Sequence, residues 1–231
     1  MLRKPERQEH RQEFQTETLT RWSVLWIEVI AMMNKDKFWE IIEKVRNQCK
    51  DNAEKMVDVL GEELGKYPIE DVQRFSSIFN IYHHIAYKEG LFSIGSMMNH
   101  YMMTDDGFID FRYWLISQGK EVYMNAMKDP MALCTAEIKP IGDWYEFESF
   151  GYVPMTVIEE KTGDYRKAQE DLPEAEEKEI LSEIEFGDYI DKTLKETDIK
   201  MKYPDFAKRY EMENISYEMK LNGTLGEMSM M

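Results

Sequence analysis

A chain of 231 residues, 43% of them hydrophobic, can bury one sizeable core, so one domain with tails is expected. Its 45 acidic residues against 29 basic ones give a net charge of −16, which repels nucleic-acid phosphate and anionic lipid because such binding rests on clustered Lys and Arg. No apolar run approaches the roughly 18 residues of a membrane span, and Cys49 and Cys134 have neither metal-ligand spacing nor a disulfide framework, so a reducing, cytoplasmic setting is expected.

Residues 1–32 are charged and then abruptly apolar, with Trp22, Leu25 and Val29 spaced along one helical face. They read as an N-terminal appendage, and a helical core domain is expected over 33–165. Asn34 and Asp36 supply the cap and the negative first turn of a helix whose inward face is Phe38, Ile41, Ile42, Val45 and Cys49. A second helix carries Ala53, Met56, Leu60 and Leu64 and ends at Gly65 to Pro68. Pro68 then opens a third, with Ile69, Val72, Phe75, Phe79 and Ala86 inward. A break is expected at Gly90. Thr104 caps the central helix, Asp105 and Asp106 complement its dipole, Phe108, Phe111, Leu115, Val122 and Ala126 form its stripe, and Asp129-Pro130 closes it. Residues 143–165 read as one more helix, kinked or divided at Pro154, with Trp144, Phe147, Tyr152, Met155 and Ile158 available to the core. A charged linker is expected over 166–179, a short helix over 186–199, docking of 180–212 through Tyr203, Phe206 and Tyr210, and a disordered tail over 213–231. The fold class is all-α, since strand signals are nearly absent.

The segments MNKDKFWEIIEKVR, TDDGFIDFRYWLISQGKEVYMNAMKDPMAL, EEKTGDY and YPDFAKRY, in that order, resemble a bacterial domain of unknown function catalogued as number 4240, over about residues 33–212. The resemblance implies no established activity. The chain departs from the family pattern ahead of the aspartates, where a small, Gly-rich turn is usual and MMNHYMM stands instead.

The stretch from Thr104 to Pro130 holds the candidate site. Asp106 and Asp110, four apart, share a helix face with Asp105 beside them. Such carboxylates hold a hard cation or act as an acid/base couple when their environments differ, and they equally serve as cap and dipole complement. Arg112 sits among Phe111, Tyr113 and Trp114, where its planar fork suits a carboxylate or phosphate; the competing use is an internal pair with Asp105, Glu121 or another helix. Gln118-Gly119 shapes a pocket or permits close packing. His83 and His84 are adjacent and point apart, and no HExxH, nucleophile elbow, P-loop or GxGxxG occurs. No catalytic residue, metal ligand or cofactor is therefore assigned. The candidate binding pocket is Asp105, Asp106, Asp110, Arg112, Trp114 and Gln118. The function expected is a helical binding or regulatory module working by protein contact, with a basic partner facing the acidic surface; the alternative is a small-molecule or metal-assisted enzyme using the carboxylates and arginine of 104–119.

Overall fold

Asn34 opens α1 (Lys35–Cys49). Its Oδ1 accepts from the amides of Asp36 and Lys37 at 3.1 and 2.9 Å, which satisfies donors that a first turn otherwise leaves free. Asn52 does the same for α2 (Ala53–Gly65), accepting from Lys55 at 2.9 Å. Pro68 occupies the cap position of α3 (Ile69–Ile85), with Glu70 and Asp71 in the first turn against its positive end. The residues expected inward on α1 are buried, as their three- and four-residue spacing requires.

The computed structural model describes residues 33–50, 52–168 and 171–208. The remaining elements are α4 (Glu89–Met98), α5 (Asp105–Ser117), α6 (Lys120–Lys128), a 3-10 turn at Pro130–Cys134, α7 (Glu148–Thr162), a 3-10 turn at Tyr165–Ala168, α8 (Glu174–Ser182) and α9 (Glu196–Lys202). Among the described residues no strand forms, so the fold is all-α. The expected appendage over 1–32, the docking of Tyr210 and the tail over 213–231 lie outside the described residues.

The core is built where α7 packs on α2, α3 and α5, and α1 on α2. Aromatic rings tie these layers together. Phe38 of α1 lies 4.8 Å from Phe75, Trp39 lies 4.8 Å from Tyr82, and Tyr82 meets Tyr123 of α6 edge-on at 5.4 Å. The Tyr123 hydroxyl donates to the Tyr82 carbonyl at 2.6 Å, beside the Ala86 amide that the same carbonyl accepts, so a fully buried phenol has its partner in the last turn of α3. Both cysteines are free and buried.

Several local expectations are corrected by long-range contacts. Gly90 does not break a helix; it lies in the first turn of α4, where its amide donates to the Ile190 carbonyl at 2.8 Å, and the break falls at 86–88. Residues 143–147 are not helical, and Trp144 pairs with Ile141 in an isolated bridge. Helix α7 instead starts at Glu148 and runs through Pro154 undivided. Tyr152, expected inward, is 46% exposed, because the buried face of α7 is taken by Phe150, Val153, Pro154, Val157 and Ile158. Residues 174–179, within the expected linker, open α8, where Glu174, Glu176 and Glu177 gather at the positive end of the helix. The short helix expected over 186–199 begins at Glu196 instead, and residues 204–208 are also helical, with Phe206 buried.

Two backbone positions shape the candidate region. Gly119 has φ +92 between α5 and α6, and the next amide, that of Lys120, donates to Glu43 Oε1 at 3.0 Å. A side chain at 119 would strike the Glu43 carboxylate, so glycine lets a carboxylate of α1 cap α6. Ahead of α5, His100 and Tyr101 have φ of 56 and 58, a left-handed turn that glycine adopts with less strain. Buried Asn99 anchors it by accepting from the Tyr145 amide at 2.7 Å.

Candidate functional site

Thr104 fixes the start of α5, its hydroxyl accepting from the Gly107 amide at 3.0 Å. That register sets where each candidate side chain points. Asp105 and Asp106 are exposed in the first turn, and Asp110 is half-buried one turn on. Burial, then the neighbouring charges of Glu148 and Asp106, push the Asp110 carboxyl up to about 6. Glu146 is also raised, by burial and then by Asp110. On α7 the phenol of Tyr152 is raised by Glu148 first and by Asp110 and Asp106 further down. A backbone bond from the Phe147 amide to the Asp110 carbonyl, 3.0 Å, ties the start of α7 to α5. Asp106, Asp110, Glu146, Glu148 and Tyr152 thus form one acidic, aromatic surface, with Ile109, 37% exposed, on the same helix.

Arg112 is not part of that surface. It is 5% exposed, and its Nε donates to the Phe108 carbonyl at 3.1 Å while Nη1 donates to the His83 carbonyl at 2.9 Å. The guanidinium lies against the rings of Tyr87 and Phe108, 5.1 and 5.0 Å from their centroids. Of the internal pairings open to it, with Asp105, Glu121 or another helix, the contact found is with another helix, through the His83 carbonyl of α3. The His83 ring stacks on Tyr113 at 4.0 Å, and its Nε2 lies 3.1 Å from the Ile109 carbonyl. Nε2–H therefore donates to that carbonyl, leaving Nδ1 to face Arg112 Nη1 at 3.5 Å. Burial, and after it the Arg112 charge, lower the His83 pKa to about 4. The imidazole is neutral at pH 7 and acts as an orienting group for the arginine.

Trp114 is fully buried, its indole N–H donating to the Lys139 carbonyl at 3.1 Å. Gln118 ends α5 in a different place, a cleft of about 410 Å³ that also takes in Glu43, Arg46, Asn125 and Glu137. The six candidate residues therefore divide into a carboxylate set of exposed Asp105 and Asp106 with half-buried Asp110, two internal braces and one cleft residue. Glu146, Glu148, Ile109, Tyr152 and His83 belong to the first two groups and were not singled out as site residues from the sequence. The alternation Glu146-Phe147-Glu148 was the available signal for the acidic pair. Among the described residues, no three His, Cys, Asp or Glu side chains converge closely enough to share a metal ion, and no helix is long and apolar enough to cross a membrane.

Asp110 gives a testable pH dependence. Its folded-state pKa, about 6, lies above the unfolded value of about 3.9, so the native state holds the extra proton between those limits. Stability falls as pH rises through that window, and the cost is fully present above it. Asp110→Asn is expected to raise stability at pH 7 by roughly 0.5–1 kcal/mol, discounted for partial exposure and screening. Urea midpoints of the two proteins at pH 4 and pH 7 check this: the gap opens only at the higher pH.

A family model described as "Protein of unknown function (DUF4240)" matches residues 33–160. No curated protein and no solved structure matches the chain. The match covers more than half of the sequence and all six candidate residues, so the chain belongs to the DUF4240 family.

Proposed function

We propose that the chain is a helical binding module that works by protein contact, and that its contact face is the acidic, aromatic surface of α5 and α7. The observation carrying this reading is the uncompensated charge there. Asp110 is driven toward protonation by burial and by Glu148 and Asp106, and among the described residues no Lys or Arg forms an ion pair with Asp106, Asp110, Glu146 or Glu148. A cation brought to this face relieves that repulsion, and exposed Ile109 and Tyr152 add apolar contact area. A basic partner segment carrying one or two apolar side chains fits both features.

The enzyme alternative needs Arg112 beside the carboxylates. Its donors are instead spent on Phe108 and His83, which weighs toward contact rather than chemistry. Capture of partners from lysate on immobilised full chain, at low and high salt, tests the proposal. A partner retained at low salt, released at high salt and lost by D106N/D110N/E148Q is expected; no retention at low salt, or equal retention by the variant, overturns it.

A further inference from the structure

A second charge pattern lies beyond the family-matched region. Residues 171–198 contain eleven carboxylates against three lysines, half of the net charge of −16. Taken in chain order, these carboxylates meet cations of the helical core one after another. Glu176 pairs with Arg74 of α3. Glu179 and Glu183 take Lys35 at 3.4 and 3.3 Å, and Glu183 also takes Lys120 of α6 at 3.1 Å. Glu185 takes Lys128 at 2.7 Å, and Asp191 takes Lys88, ahead of α4, at 3.0 Å. Glu183 is the anchor: it also accepts from the Tyr82 hydroxyl, and these donors hold its carboxyl below the usual range despite the opposing effect of burial.

The backbone follows the same path. Gly187 donates to the Met127 carbonyl at 3.4 Å, Gly90 to the Ile190 carbonyl at 2.8 Å, and Leu194 to Ser93 Oγ at 3.1 Å. A Cβ at Gly187 would overlap the Lys128 carbonyl, and one at Gly90 the carbonyls of Tyr189 and Ile190, so glycine on both sides permits this close approach. Neither α8 nor α9 packs extensively on another helix. The segment is held by its carboxylates, a few backbone bonds and the buried side chains of Ile180, Ile184, Ile190 and Leu194. Of these pairs, Lys128–Glu185 is exposed on both sides and Lys88–Asp191 and Lys35–Glu179 through their carboxylates, while those of Glu176 and Glu183 are more shielded. Exposed pairs contribute little singly and weaken with salt, so the segment is expected to open ahead of the core.

We propose that residues 174–194 form an intramolecular strap over a basic docking surface made by Lys35, Arg74, Lys88, Lys120 and Lys128, and that this surface takes an acidic protein segment when the strap lifts. The strap is the template for that partner: carboxylates alternating with branched apolar residues, as in Glu183-Ile184-Glu185. The surface is opposite in sign to the α5–α7 face and independent of it.

Hydrogen exchange on the full chain, with poly-L-glutamate as the probe, tests this. In E176Q/E183Q/E185Q/D191N the amides of Gly187, Ile190 and Leu194 are expected to exchange at least about tenfold faster than in the wild type, with α3 and α5 unchanged. That variant should also bind poly-L-glutamate at low salt, against the repulsion of the chain's own negative charge. Strap amides that exchange only at the rate of the core, or an opened strap that leaves poly-L-glutamate unbound, overturn the proposal. If the variant does not fold, the wild type decides: excess poly-L-glutamate at low salt either accelerates the strap amides ahead of the core, as expected, or leaves both unchanged, which contradicts it.

Discussion

Trp114→Ala lowers the stability of the fold by roughly 3–5 kcal/mol, the range for truncating a large buried aromatic. The side chain is fully buried, with its ring 5.3 Å from Phe111 and edge-on to Tyr145 at 5.1 Å. Truncation empties that volume and leaves the Lys139 carbonyl without the indole donor that reaches it at 3.1 Å. Trp114→Phe keeps most of the ring contact and loses the donor, so it costs less. A urea titration reads both: the midpoint falls in that order, and an unchanged slope shows that the two-state transition is retained.

Arg112→Met carries the second large effect and a signature of its own. The substitution keeps an apolar stem of similar reach but removes donors from the Phe108 and His83 carbonyls. The loss of charge-assisted bonds, offset in part by removing a buried cation, leaves a net cost of roughly 1–3 kcal/mol. Arg112→Lys is not a rescue, because one ammonium does not reproduce the planar fork that serves both carbonyls and lies against two rings. The charge also depresses His83, after burial, so its removal raises the His83 pKa from about 4 toward its ordinary value. With a folded pKa below the unfolded one, His83 costs stability as pH falls through the unfolded value toward about 4; in Arg112→Met that loss becomes smaller. Titration of the His83 ring by NMR reads this shift directly.

Local physics was legible in the sequence. Asn34 and Thr104 announce their helices because a cap acts within three residues, and the buried face of α1 follows from spacing alone. The partners of the candidate residues were hidden because they are remote in the chain. Arg112 had nearby carboxylates on offer, yet it reaches the last turn of α3, where the His83 carbonyl lacks a helical donor. Asp110 has its pKa raised by burial first and then by Glu148, and the packing of α7 on α5 brings Glu148 to it. The strap's pairs join residues remote in the chain, from 57 positions apart for Lys128 with Glu185 to 148 for Lys35 with Glu183. Charge-rich composition marked 166–179 as linker, and docking of 180–212 was expected through Tyr203, Phe206 and Tyr210; the cations that face Glu176, Glu183, Glu185 and Asp191 were not legible.

Contact with a partner is expected to run through the acidic, aromatic face of α5 and α7. A hydrogen-exchange footprint of the full chain with the partner that high salt releases tests this directly. Protection over 105–113 and 148–156, absent when D106N/D110N/E148Q replaces the wild type, is the expected result. Protection confined to other helices, or a footprint that the variant leaves intact, would contradict it.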